Sequence, residues 1–221
     1  MISLNPHLTL TVQSLGHEAQ PLIIVDEVLS DPQALIAEAD GAAFRTPAPG
    51  SRYPGLNAPL PQTYKTLVAT ELLPRLLPHF GVTPQPLPLF GFFGVATQAP
   101  DAMDVRQAAP HIDAFSLNSF ASVHYLFEGD LGGTAFFRHR ASGHELITPS
   151  RSYGFERAKR LELDGFEGSG EAARAQFFEP IAAIEPRFNR LIFYRAGQIH
   201  YGQVQASNPR RLTANLFFGI R

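Results

Sequence analysis

Cysteine is absent from the 221 residues, and so is tryptophan. Without thiols there is no disulfide framework and no thiolate metal site, so any metal must sit on His, Asp or Glu. No apolar run approaches the ~18–20 residues of a membrane-spanning helix. The opening Met1-Ile2-Ser3-Leu4-Asn5-Pro6 has no basic segment leading into an apolar one. A strong charge of either sign is missing too: 18 Lys and Arg against 20 Asp and Glu leave a formal net charge of −2. That balance argues against a nucleic-acid surface or a polybasic membrane patch. The expectation is a soluble, cytoplasmic protein that engages neither nucleic acid nor membrane. Oligomeric state has no signature in the sequence.

Apolar residues are plentiful, at 44% of the chain with 18 phenylalanines among them. That is enough for a single domain over 1–221 with a sizeable core. Leu8–Val12 alternates as a strand, and Pro21–Val25 reads as a more buried one. Ser30-Asp31-Pro32 then opens a helix with Leu35, Ile36 and Ala39 on its apolar stripe and Gly41 near its end. Residues 46–61 are rich in Pro and Gly and carry Arg52 and Tyr53. They read as a loop, either a surface crossing or a substrate-side lid. Leu67, Leu72, Leu73, Leu76 and Leu77 mark a second helix, with Gly81 beyond it. Strands follow at 88–96, 119–127 and 134–138, and a glycine turn at 129–133 joins the last two. Residues 141–176 form a polar insertion with a short helix at 151–163 and a flexible break at 165–170. Strands at 181–185 and 190–194, a turn at 196–198 and an alternating strand at 211–218 close the chain. Helices come early and short strands fill the second half. The fold class is mainly β with flanking helices, a double-stranded β-helix or jelly roll. Residues 1–87 would serve as buttress and 88–221 as core.

The chemistry centres on Pro110-His111-Ile112-Asp113-Ala114-Phe115. In a strand, residues i and i+2 share a face, so His111 and Asp113 would project together. An imidazole and a carboxylate on one face make two-thirds of a non-haem iron(II) site, which needs a second histidine and open positions. His200, after a strand and a glycine turn, can supply it. Arg211 shares a face with Thr213, and a guanidinium plus a hydroxyl suits a carboxylate. An arginine turned into an apolar barrel would be costly without an anion. Arg210, out of phase with Thr213, should face outward. His124 and His139 compete as ligands; at most one of His124 and Tyr125 should face inside, and His139 between two arginines should lie near solvent. Asn118, Phe115, Arg138 and Asn215 are further lining candidates.

These residues resemble the iron(II)- and 2-oxoglutarate-dependent oxygenases, most closely the prolyl-hydroxylase-like branch. The resemblance runs over roughly 88–220, in the order His111-Ile112-Asp113, Tyr125-Leu126, Gly132-Gly133-Thr134-Ala135-Phe136, His200 and Arg211-Leu212-Thr213. The glycine element is one residue shorter than the family pattern, and the 141–176 insertion is unusually polar. The resemblance implies Fe(II) on His111, Asp113 and His200, with 2-oxoglutarate as co-substrate. Arg211 and Thr213 would hold its distal carboxylate, with Tyr125 as a hydrogen-bonding helper. It implies hydroxylation of a C–H bond in a small molecule or peptide. Halogenation is disfavoured because Asp113 leaves no ligand position for a halide. The alternative is a catalytically silent jelly-roll module that binds a metal or a small acidic ligand.

Overall fold

The period-2 segments build two antiparallel sheets in a computed structural model that describes residues 1–48, 51, 53–83, 89–205 and 210–219. Arg52 and Pro88 lie outside the described residues. The major sheet has the order β1 (Thr9–Leu15), β2 (Gln20–Asp26), β8 (Arg190–Arg195), β5 (Ser119–Tyr125), β10 (Leu212–Gly219), β4 (Phe90–Ala96) and β3 (Gly55–Pro59). The minor sheet has the order β7 (Phe178–Ile184), β6 (Thr134–His139) and β9 (His200–Gly202). The protein is mainly β, a jelly roll with its helices outside.

Alternation along the strands sorts side chains into separate cores. On β10, Leu212, Ala214, Leu216 and Phe218 face outward to the helices, as do Leu191 and Phe193 on β8. They meet α1 (Pro32–Asp40) through Leu35 and Ala39, and a helical stretch through Tyr64, Leu67, Leu72 and Leu76. The opposite face of the major sheet contributes Leu22, Ile24, Ala121, Tyr125, Ile192 and Tyr194, which pack against Phe136 and Ile184 of the minor sheet. This second core lies between the sheets.

The second helical stretch is not uniform. After α2 (Gln62–Leu67), residues Val68–Leu72 form one wide π turn before α3 (Leu73–Leu76), and Leu77–Phe80 tighten into a 3-10 turn. Pro74 explains the wide turn: it has no N–H to give, and its ring would strike a carbonyl one turn back. Gly81 ends the stretch in the left-handed conformation at φ 70°.

Two sequence expectations change. Within 46–61, Gly55–Pro59 forms an edge strand on β4 rather than loop, and Pro59 is tolerated because it ends an edge. His139 is fully buried rather than near solvent. The reason is α4 (Pro149–Asp164), longer than the expected helix, which covers this end of β6 and packs Phe155 edge-on to the imidazole. Glu162 Oε2 and Ser142 Oγ lie 2.9 Å from the two ring nitrogens of His139. Beyond the expected break, Ser169 caps α5 (Gly170–Phe177), its hydroxyl accepting from the Ala172 N–H.

Candidate metal centre and its cavity

His111 and Asp113 do not sit in a regular strand. Their segment runs beside β9 through one isolated bridge, in which His111 and His200 exchange backbone hydrogen bonds of 2.8 and 2.9 Å. The chain then bends, and the Asp113 N–H donates to the Ala196 carbonyl at 2.8 Å. Two anchors, one at each residue, do the positioning that a strand was expected to do. The rings of His111 and His200 come within 4.4 Å, centroid to centroid. Asp113 Oδ1 is 3.8 Å from His111 Nε2, and Oδ2 is 3.5 Å from His200 Nε2. One ligand atom from each residue falls within 4.8 Å of the others, so the trio could hold a metal ion.

The tautomer of His200 follows from its neighbour. Its Nδ1 lies 2.9 Å from the Gln198 carbonyl, an acceptor only, so Nδ1 carries the proton and Nε2 keeps its lone pair for the cluster. Burial raises the Asp113 pKa, and the positive potential of His200 opposes that rise. Side-chain exposure grades across the trio from 7% at His200 through 19% at Asp113 to 48% at His111. The cluster is therefore reached from the His111 side.

The cluster lines a cavity of about 1070 Å³. Arg211, just ahead of β10, and then Thr213, Asn215 and Phe217 along its inner face follow one another at the two-residue repeat. Thr213 lies opposite Tyr125 and Gly94, while Phe217 lies opposite Ala121 and Phe90. Ala121 is itself paired with Tyr194, whose ring is 5.0 Å from that of His200. The Phe217 end of β10 is thus level with the cluster, and the Arg211 end lies deeper. At the Phe217 end, Phe90, Phe92 and Phe217 form an aromatic wall with centroid separations of 5.7 to 6.3 Å.

At the deep end, Arg211 is buried, and Nε and Nη2 donate to the carbonyls of Leu131, Gly132 and Gly133 at 2.9 to 3.4 Å. Its guanidinium lies over the Phe127 ring. No carboxylate pairs with it among the described residues, and burial lowers its pKa, partly offset by Tyr125, Tyr53 and Tyr201. A buried cation held only by neutral groups is an incomplete arrangement, and an anionic ligand would complete it. Thr213 Oγ1 accepts from Asn215 Nδ2 at 3.0 Å. Arg210 faces outward and pairs with Asp40.

Some of these features have no motif in the sequence. Tyr125 is fully buried, its hydroxyl 2.7 Å from Thr134 Oγ1, and it is Thr134 that faces the cavity. Tyr53, from the Pro/Gly-rich segment, places a buried hydroxyl on the cavity wall without a hydrogen-bond partner among the described residues. Of the further lining candidates, Asn215 borders the cavity, whereas Arg138 is engaged elsewhere by Glu145 and Glu179. His124 points away from the cavity, between Tyr64 and Asn189.

The fold is similar to several solved structures. One is the non-heme alpha-ketoglutarate-dependent epimerase SnoN from nogalamycin biosynthesis, at 15% identity and TM-score 0.54 over 90% of this chain and 78% of that one. Another is the non-heme alpha-ketoglutarate-dependent carbocyclase SnoK from the same biosynthesis, at 13% identity and TM-score 0.52 over 90% and 79%. A third is HygX from Streptomyces hygroscopicus with nickel, 2-oxoglutarate and hygromycin B bound, at 12% identity and TM-score 0.50 over 90% and 83%. At such identities the likeness establishes the fold. No curated protein sequence matches the chain. A family model matches residues 6–218, and its description is a family of unknown function (DUF6445).

Proposed function

The chain belongs to this family of unknown function, and we propose that it is an Fe(II)- and 2-oxoglutarate-dependent oxygenase that hydroxylates a C–H bond of a small molecule. One observation carries the reading: a His-Asp-His cluster shares its cavity with a buried arginine that has no carboxylate of its own. A metal-binding module has no use for the second feature. His111, Asp113 and His200 would hold the iron, two imidazoles and a carboxylate being the donor set for non-haem Fe(II). Arg211 and Thr213 would hold the distal carboxylate of the co-substrate. Iron with 2-oxoglutarate supplies dioxygen activation, so that substrate, dioxygen and 2-oxoglutarate become alcohol, succinate and carbon dioxide. The chain's own residues do the positioning. Gln198 orients the His200 ring through Nδ1 so that Nε2 faces the cluster, the backbone exchange with His111 fixes the ring pair, and Phe90, Phe92 and Phe217 line the cavity wall. The motif order His-x-Asp, Tyr-Leu, Gly-Gly-Thr, His and Arg-x-Thr supports the prolyl-hydroxylase-like branch. The cavity volume suits a small-molecule substrate.

Anaerobic calorimetric titration tests this. Fe(II) binds at one site, 2-oxoglutarate then binds the metal-loaded protein, and His200→Ala loses the metal while remaining folded. A folded protein that takes Fe(II) but never 2-oxoglutarate would instead be a metal-binding module.

A further inference from the structure

The unpartnered Tyr53 hydroxyl identifies a group at the deep end of the cavity that no motif marks. The Tyr53 ring is fixed edge-on to Phe92 at 5.7 Å. Its hydroxyl reaches over Gly94, so that a Cβ built at Gly94 would lie 2.2 Å from it. Glycine at 94 is the window through which the phenol enters. Gly94 is paired with Thr213 across β4 and β10, which brings the phenol beside Thr213. Burial raises the Tyr53 pKa, and the nearby Arg211 and Thr213 pull it back down. By hydrogen-bond geometry the phenol has no partner among the described residues.

Three polar groups therefore surround one place: a guanidinium without a carboxylate, a threonine hydroxyl and an orphaned phenol. Leaving a buried hydroxyl unbonded costs about 1–3 kcal/mol, so such groups normally find partners. The ligand that suits this trio is an acceptor carrying negative charge, a carboxylate. The Tyr125 hydroxyl is bonded to Thr134, and that of Thr213 accepts from Asn215 and donates to the Gly94 carbonyl at 3.4 Å, so the Tyr53 hydroxyl is the one whose hydrogen is uncommitted among these described residues.

We propose that Tyr53 is a positioning residue that donates its phenolic hydrogen to the distal carboxylate of a short 2-oxo dicarboxylate, beside Arg211 and Thr213. This rests on the reading of the site given above and deepens it. Tyr53, two residues ahead of β3, thereby becomes part of the co-substrate pocket and contributes to the choice of a dicarboxylate over a monocarboxylate.

The test compares 2-oxoglutarate with 2-oxobutyrate, which keeps the 2-oxo acid end and lacks the distal carboxylate, on the anaerobic Fe(II)-loaded protein by calorimetry. The parent should bind 2-oxoglutarate more tightly. Tyr53→Phe should weaken 2-oxoglutarate about ten-fold, the scale of one hydrogen bond to a charged group, and leave 2-oxobutyrate and Fe(II) affinities unchanged. The melting temperature of the ligand-free variant should equal or exceed the parent's, because the lost hydroxyl had no partner. If Tyr53→Phe keeps the full preference for 2-oxoglutarate, or melts lower without ligand, the assignment of Tyr53 is overturned. If the parent itself shows no preference between the two acids, the dicarboxylate reading of the whole site fails along with it.

Discussion

At the scale of single residues, the polar groups outside the cavity show how closely side-chain chemistry is specified. Asn189 Nδ2 donates to the Leu29 carbonyl, while its Oδ1 accepts from the Leu29 N–H. That fixes the amide's orientation, so His124 Nε2 must donate to Oδ1 and Nδ1 must accept from the Tyr64 hydroxyl. The imidazole is held neutral: burial pushes its pKa down to about 4, against a smaller upward pull from Asn189. The unfolded chain takes up this proton near pH 6.5, and the folded one only near 4. Stability should therefore fall as pH drops through that window, by about 3 kcal/mol at its lower end. Urea unfolding at several pH values checks it. His124→Gln, which cannot titrate, should show a shallower pH slope there, and an unchanged slope would assign the effect to another group.

The same scale shows what was legible in the sequence. Histidine, aspartate and arginine announce themselves because few side chains can bind iron or a carboxylate, and their order along the chain is informative. Tyr53 announces nothing, since a tyrosine among prolines and glycines acquires meaning only once β3 and β4 pair and bring it over Gly94. His139 misled because flanking arginines suggest solvent, while its burial depends on α4, the next element in the chain, folding back over β6.

At the scale of elements, the β5–β6 turn does more than reverse direction. Its carbonyls at 131–133 are the ones that hold Arg211. Gly132 has φ 88°, and a Cβ there would fall 1.3 Å from the Gln203 carbonyl oxygen. Gly129 has φ 80° with nothing within 4 Å. The two glycines should therefore respond differently to alanine. Gly129→Ala pays only for a left-handed backbone, about 1–2 kcal/mol. Gly132→Ala adds a backbone collision and should cost several kcal/mol more, with loss of 2-oxoglutarate binding as Arg211 loses its carbonyls. Equal melting temperatures for the two variants would contradict this. Strands and turns of this kind were legible because alternation and glycine are local signals. The β3 edge was not, since a five-residue strand containing Pro59 carries turn chemistry and forms only because β4 offers an unpaired edge.

At the scale of the whole molecule, one latch ties the N-terminal hairpin to the far side. The Glu145 side chain, fully enclosed, accepts from the His17 and Glu18 N–H groups and from Arg138. Glu18 reciprocates, accepting from the Leu146 N–H and from Arg151. Enclosure alone would raise the Glu145 pKa, but the two backbone donors and Arg138 outweigh it and hold the carboxyl low. Glu145→Ala strands those donors and should cost about 3 kcal/mol, or a fall of about 6–12 °C in Tm. Metal affinity should weaken as well, because the Glu145 carbonyl accepts from the Ile199 N–H beside His200 and Leu146 bridges to Gln198. A melting temperature within 2 °C of the parent, on the same scale, would show the latch to be ornamental.

The order of strands in the major sheet has a consequence for synthesis. Its middle strand, β5, is flanked by β8 and β10, which are made last, while β1–β2 and β4–β3 wait on the outside as separate ribbons. A nascent chain that has reached residue 185 has apolar ribbon faces and no strand to join them, the state most open to chaperones and to aggregation. His200, Arg211 and Thr213 arrive with those closing strands. The cluster is therefore completed only with the closing strands: a product truncated at residue 185 carries His111 and Asp113 but lacks His200, Arg211 and Thr213.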